Sequence, residues 1–225
     1  MPQSAVLRGC GGYVFKCSST VYNTGNIAKR SASFWLLILA GLLAAMSCAY
    51  YAHLSPLGIY FGYGSAFGAL LVSCSMAGNV ISKILLGHVY DRFGLGVSLT
   101  LGTLVTLAGF FLLLVDSAAV RLPAAFLYGF SMAMSAIMIA IAVRDVYGSR
   151  AYGELLSYSS MAATLGTSLN MCLIGFVVDI FGKQRGYVIS LWGGIVITVL
   201  MGVLFIISIR GGRALSREGS GITNS

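Results

Sequence analysis

The chain has 225 residues, of which 58% are hydrophobic and only 9% charged, with a mean hydropathy of +0.91. A soluble domain carries roughly a quarter charged residues, so this composition excludes an ordinary water-soluble globule and points to a protein that lives in lipid. The formal net charge of +8 is no nucleic-acid footprint, because the basic residues are not interleaved with aromatics in any patch.

In chain order, residues 1–33 mix polar and apolar side chains with no compact apolar core ahead of a cleavage site. They read as a poorly ordered cytoplasmic segment, not a signal peptide. Uncharged runs follow at 34–52, 54–82, 95–115, 122–143, 155–178 and 186–209. Each can hold a helix, which needs about 20 apolar residues to cross the hydrocarbon layer. Helices and closed barrels are the only spanning options, and these runs lack the period-2 alternation of a barrel. The predicted fold is all-α, with six transmembrane helices over 34–209 and a basic cytoplasmic tail over 210–225.

Within the second run the stretch LSPLGIYFG, with Pro56 and Gly58, reads as a connection. That leaves a second helix over about 63–86, with Lys83 in its last turn and able to snorkel to the interface. Gly58, Gly62, Gly64 and Gly68 have the spacing of close helix contact. By crossing number, Arg121, Lys183 and Arg185 fall on one face and the remaining basic residues on the other. The rule that positive loops stay inside places both termini, and the loops after the second and fourth helices, in the cytoplasm, with the plasma (inner) membrane as the expected location.

The five cysteines, Cys10, Cys17, Cys48, Cys74 and Cys172, form an odd set with neither a disulfide framework nor zinc spacing, and read as packing residues. His53 and His88 fall on opposite faces and cannot share a metal. No metalloprotease, Walker-type or nucleophile-turn motif is present, so neither enzyme chemistry nor a cofactor is expected.

A polar island, GHVYDRFG, spans 87–94, and 88 residues later the chain writes GFVVDIFG over 175–182. The first closes the second helix and the second closes the fifth, so three crossings separate them and they lie on opposite faces. Helices one to three and four to six then form a 3+3 inverted repeat. Gly87 and Gly175 suit close helix approach, Gly94 and Gly182 a tight turn, and Asp91 and Asp179 can accept hydrogen bonds from amides. Arg92 stands on the cytoplasmic side, and Ile180 replaces it on the outer one.

Gly87, Asp91, Arg92 and Gly94 meet the Gly-x-x-x-Asp-Arg-x-Gly pattern of the major facilitator superfamily. The stretches AKRSASFWLLILAGLL, RDVYGSRAYGELLSYSSMAATLG and GFVVDIFGKQRGY strengthen the match, so that residues 29–210 resemble the carboxyl-terminal six helices of a twelve-helix facilitator. The amino-terminal half is a poorer fit, since 122–143 has no charge and 155–178 no proline. YGSRAYGELLSY is similar to the approach to the eleventh helix in the oxalate/formate and monocarboxylate group.

The resemblance implies half of a facilitator fold. It implies secondary-active transport of a small solute, such as an organic anion, by alternating access, in membrane lipid and against a missing amino-terminal half or a second copy. It directs Asp91 toward the positive end of a helix in the opposite half and pairs Arg92 with Asp145 as a cytoplasmic lock. The alternative is a non-transporting six-helix protein, either an inert remnant or one that docks on other membrane proteins. Candidate pathway residues are Asn170, one turn after Gly166 and alternatively an interhelical hydrogen-bonding residue; Ser73; and Tyr50, which with Tyr51 reads first as an interface anchor. Glu154 suits the positive end of the fifth helix. No span carries a central Arg or Lys on this reading, which would leave the anion site mainly on the other half.

Overall fold

The computed structural model describes the backbone of residues 32–147 and 152–222, and within it six helices are long and apolar enough to cross a membrane. We refer to them in order as the first to sixth spans: Phe34–Tyr60, Ser65–Phe93, Leu95–Leu113, Ala118–Asp145, Tyr152–Phe181 and Lys183–Ser208. Residues 1–31, with Cys10 and Cys17, lie outside the described residues, as does the GSRA segment before the fifth span.

Three boundaries differ from the sequence expectation. The LSPL stretch is not a connection: helix Ala32–Ala49 passes through a 3-10 turn at Tyr50–His53 into a further helix, Leu54–Tyr60. Pro56 is the third residue of that helix, where its missing N–H would have had no helical acceptor in any case. The true connection is Phe61–Gly64, in which Gly62 (φ +80°) and Gly64 (φ +85°) take backbone angles that side-chain-bearing residues avoid. Second, the helix of the second span runs from Ser65 to Phe93, straight through the polar island. Third, the last helix extends from Lys183 to Ile222, so the expected basic tail begins as helix.

The duplication is visible in the packing. The second span lies along the fourth and the fifth along the first, while the third packs on the fourth and the sixth on the first. One glycine in each copy makes a matching close crossing. A methyl group on Gly78 would run into the carbonyl oxygen of Phe126, and one on Gly166 into that of Leu42. Gly78 and Gly166 are separated by the same interval as the two polar phrases. The buried stripes continue in step, as Gly78, Ser82 and Leu86 in the second span and Gly166, Asn170 and Ile174 in the fifth.

Gly58 and Gly68 make a further close crossing, since a methyl on Gly58 would lie 2.6 Å from the Gly68 nitrogen. Two apolar clusters fill the two ends of the bundle. One is built on Phe34, Leu86, Leu99, Met138 and Phe205, the other on Leu57, Leu71, Phe110, Tyr128 and Tyr187. The second and fifth spans are the least buried, at 28% and 22%, and present apolar side chains such as Ile84 and Met161 outward.

Candidate functional site

The polar island forms the last turns of the second span. Gly94 stops the helix with φ +82° and ψ 175°, its N–H bonded to the carbonyl of Tyr90 at 2.8 Å, and Leu95 starts the next helix. That region of backbone space is essentially open to glycine alone. Gly182 joins the fifth span to the sixth in the same way, with φ +81°. Gly87 and Gly175 differ from expectation: a methyl group on either would meet nothing within 4 Å, so neither supports a close contact inside this bundle. Asp91, Arg92, Asp145 and Asp179 are exposed. Among the described residues Arg92 makes no ion pair with Asp145; the pair formed there is Arg121 with Asp116, at the opposite end.

The longer second helix moves Lys83. It is ten residues short of Phe93, about 15 Å at 1.5 Å per residue, and four residues past the helix midpoint at Asn79, so it is not in the last turn. It sits beside the buried stripe, one turn from Asn79, whose buried Oδ1 has no hydrogen-bond partner. Among the described residues the Lys83 ammonium has neither a hydrogen bond nor an ion pair. The expectation that no span carries a central cation therefore fails, because it took the helix to end with the apolar run.

Other polar groups gather at that depth. The backbone of Asn79 abuts Gly129 of the fourth span, where an added methyl would lie 2.6 Å from the Asn79 nitrogen. Two residues on, Ser131 is 2% exposed and its hydroxyl is unpartnered. Met134–Met138 is a single π-helical turn, a distortion that recurs at functional sites. Ser135 in that turn donates to the carbonyl of Met132 at 3.1 Å. Ser135 also borders a cleft of about 190 Å³ between the fourth and fifth spans, lined by Ser159, Ser160, Leu156 and Ile139. Lys83, exposed on the second span, and the hydroxyls of the fourth and fifth spans can neutralise and donate to a small anion, whereas the Asn79 carboxamide oxygen is an acceptor and suits the Lys83 ammonium instead.

A larger hollow of about 530 Å³ along the third span is lined by Val97, Leu101, Leu104 and Val105. It is an open, almost wholly apolar trough and has nothing with which to orient a polar solute.

The three sequence candidates take other positions. Asn170 is 2% exposed and its Nδ2 donates to the carbonyl of Met46 at 2.8 Å, tying the fifth span to the first. Tyr50 is not an interface anchor: it is 4% exposed, packs edge-on against Phe110 and donates its hydroxyl to the carbonyl of Ser190 at 2.6 Å. Ser73 is exposed and bonds the carbonyl of Ala69 within its own helix. Sequence reading missed Lys83, Asn79, Ser131 and Ser135. The Asn79/Lys83 pair at i, i+4 within an otherwise apolar stretch was the available signal.

The family model of the Major Facilitator Superfamily matches residues 36–222. No curated protein matches the chain.

Proposed function

Since the chain belongs to the Major Facilitator Superfamily and is a multi-pass membrane protein of a transporter family, we propose that it takes part in secondary-active transport of a small organic anion, with Lys83 as the charge that receives it. Lys83 carries the reading. An ionisable side chain inside a span costs free energy to keep there and marks a solute or ion pathway by default, and this one has no counter-charge among the described residues. Asn79, Ser131 and Ser135 supply the polar surroundings. The likeness of YGSRAYGELLSY to the oxalate/formate and monocarboxylate group favours a small carboxylate as the solute.

In this proposal the six spans rock as a body against a second six-helix unit, either an amino-terminal half or another copy, through the exposed faces of the second and fifth spans. Both termini face the cytoplasm of a plasma (inner) membrane. With the partner half docked, Arg92 approaches Asp145 to lock the cytoplasmic side, and Asp91 faces the positive end of a partner helix.

The test is uptake of radiolabelled formate and pyruvate into proteoliposomes holding this chain, alone and together with an amino-terminal six-helix facilitator half. Lys83→Arg is expected to keep uptake and Lys83→Met to reduce it at least about tenfold, the effect of losing roughly 1.4 kcal/mol of binding. Equal uptake by both variants removes Lys83 from the pathway and the proposal with it.

A further inference from the structure

At the end of the bundle opposite Gly94, a second cation is held in an unusual way. Arg121 in the first turn of the fourth span is only 1% exposed, whereas its ion-pair partner Asp116 is 64% exposed. Arg121 Nη2 donates to Asp116 Oδ1 at 2.9 Å, and the Tyr63 hydroxyl donates to the same oxygen at 3.1 Å. The Phe61 ring lies 4.0 Å from the guanidinium carbon and the Tyr63 ring 5.1 Å from it. Arg121 Nε and Nη1 are buried and have no hydrogen-bond partner. Charged donors left unmatched away from water are costly, and each one asks for an explanation.

The cover over Arg121 is the short connection Phe61–Gly64. Gly62 and Gly64 bracket Tyr63 at φ +80° and +85°, and a methyl on either would meet nothing within 4 Å. These glycines therefore serve the backbone of the turn and not its packing. The connection is a small flap with two aromatic rings, fastened by one shared carboxylate oxygen. Removing Asp116 from that oxygen's place releases Tyr63 and frees Nη2 as well.

We propose that Arg121 is an oxyanion-binding site, closed in this conformation by the Phe61–Gly64 flap and occupied by Asp116 as a built-in carboxylate. An incoming carboxylate, or the phosphate of a lipid headgroup, takes the place of Asp116 Oδ1 and satisfies the idle Arg121 donors as the flap lifts. The planar donor set of arginine suits that geometry, and charge-assisted bonds of this kind are the strong ones. The site stands apart from the Lys83 cluster and does not depend on it.

The test is nitrogen NMR of the chain labelled with [15N]arginine in phosphatidylcholine nanodiscs, with the Arg121 Nε–H signal identified by its loss in Arg121→Lys. Sodium pyruvate is titrated against sodium chloride at constant ionic strength. The expected result is a saturable shift of the Arg121 signal with pyruvate, at several-fold lower concentration in Asp116→Asn, which lacks the competing charge, and in Phe61→Ala, which lacks the cover. A shift on adding phosphatidylglycerol to the nanodiscs in place of pyruvate assigns the oxyanion to the lipid. No saturable shift in wild type, Asp116→Asn or Phe61→Ala with either probe, or equal shifts with chloride, overturns the proposal. Asp116→Asn keeps a carbonyl oxygen for Tyr63 and Arg121, so a fold defect does not stand in for the answer. Lys83→Met leaves the Arg121 response unchanged.

Discussion

Replacing Lys83 with methionine separates two accounts of this residue by moving stability and transport in opposite directions. The helix from Ser65 to Phe93 has 29 residues, about 43 Å, against a hydrocarbon layer of about 30 Å. Centred in the layer, its apolar portion ends roughly 6 Å before Phe93, and the Lys83 Cα lies about 9 Å inside that limit. A lysine stem reaches toward the interface but does not cover that distance without water or thinning of the bilayer. A charge near a helix centre costs about 2.5–3.5 kcal/mol by insertion, so Lys83→Met is expected to make insertion of this helix more favourable by about 2 kcal/mol. Glycosylation-site mapping of the second span in microsomes measures that gain, and anion uptake by the reconstituted transporter is expected to collapse in the same variant. If insertion is unchanged and uptake is intact, Lys83 already sits in water at the interface and the argument from its depth is wrong.

Other expected outcomes follow from particular contacts. Gly94→Ala and Gly182→Ala place a side chain where φ is +82° and +81°, and each should cost about 1–3 kcal/mol in thermal unfolding in detergent. Gly87→Ala, with open space around it, should leave the same melting curve in place. Gly78→Ala and Gly166→Ala force a methyl onto the carbonyls of Phe126 and Leu42; each should destabilise by about 1–3 kcal/mol, by similar amounts, and a neutral result at either site would break the structural equivalence of the two repeats. Asn170→Leu removes the bond to the Met46 carbonyl and should cost about 0.6–2 kcal/mol, as interhelical hydrogen bonds in membranes do, without abolishing uptake. A cysteine pair at positions 92 and 145 is expected to crosslink when the partner half is present; failure in every transport state removes the proposed lock.

The sequence by itself determined the number of spans, their helical character and the duplication. Lipid leaves the backbone no other way to satisfy its amides, and a repeated phrase survives as text whatever its surroundings. It also marked Gly94 and Gly182 as turns, since only glycine tolerates the backbone angles found there. Tertiary structure alone decided how far each helix runs. Hydropathy sees where apolar residues stop, but the second helix continues through His88, Asp91 and Arg92 to Phe93, which moves Lys83 from the last turn to four residues past the helix midpoint. The same limit applies to Tyr50 and Arg121. A tyrosine near a helix end and an arginine beside a loop both read as interfacial, yet crossing helices and a folded-back connection bury them to 4% and 1% exposure. Burial of that kind depends on which neighbour arrives from elsewhere in the chain, and no local pattern records it.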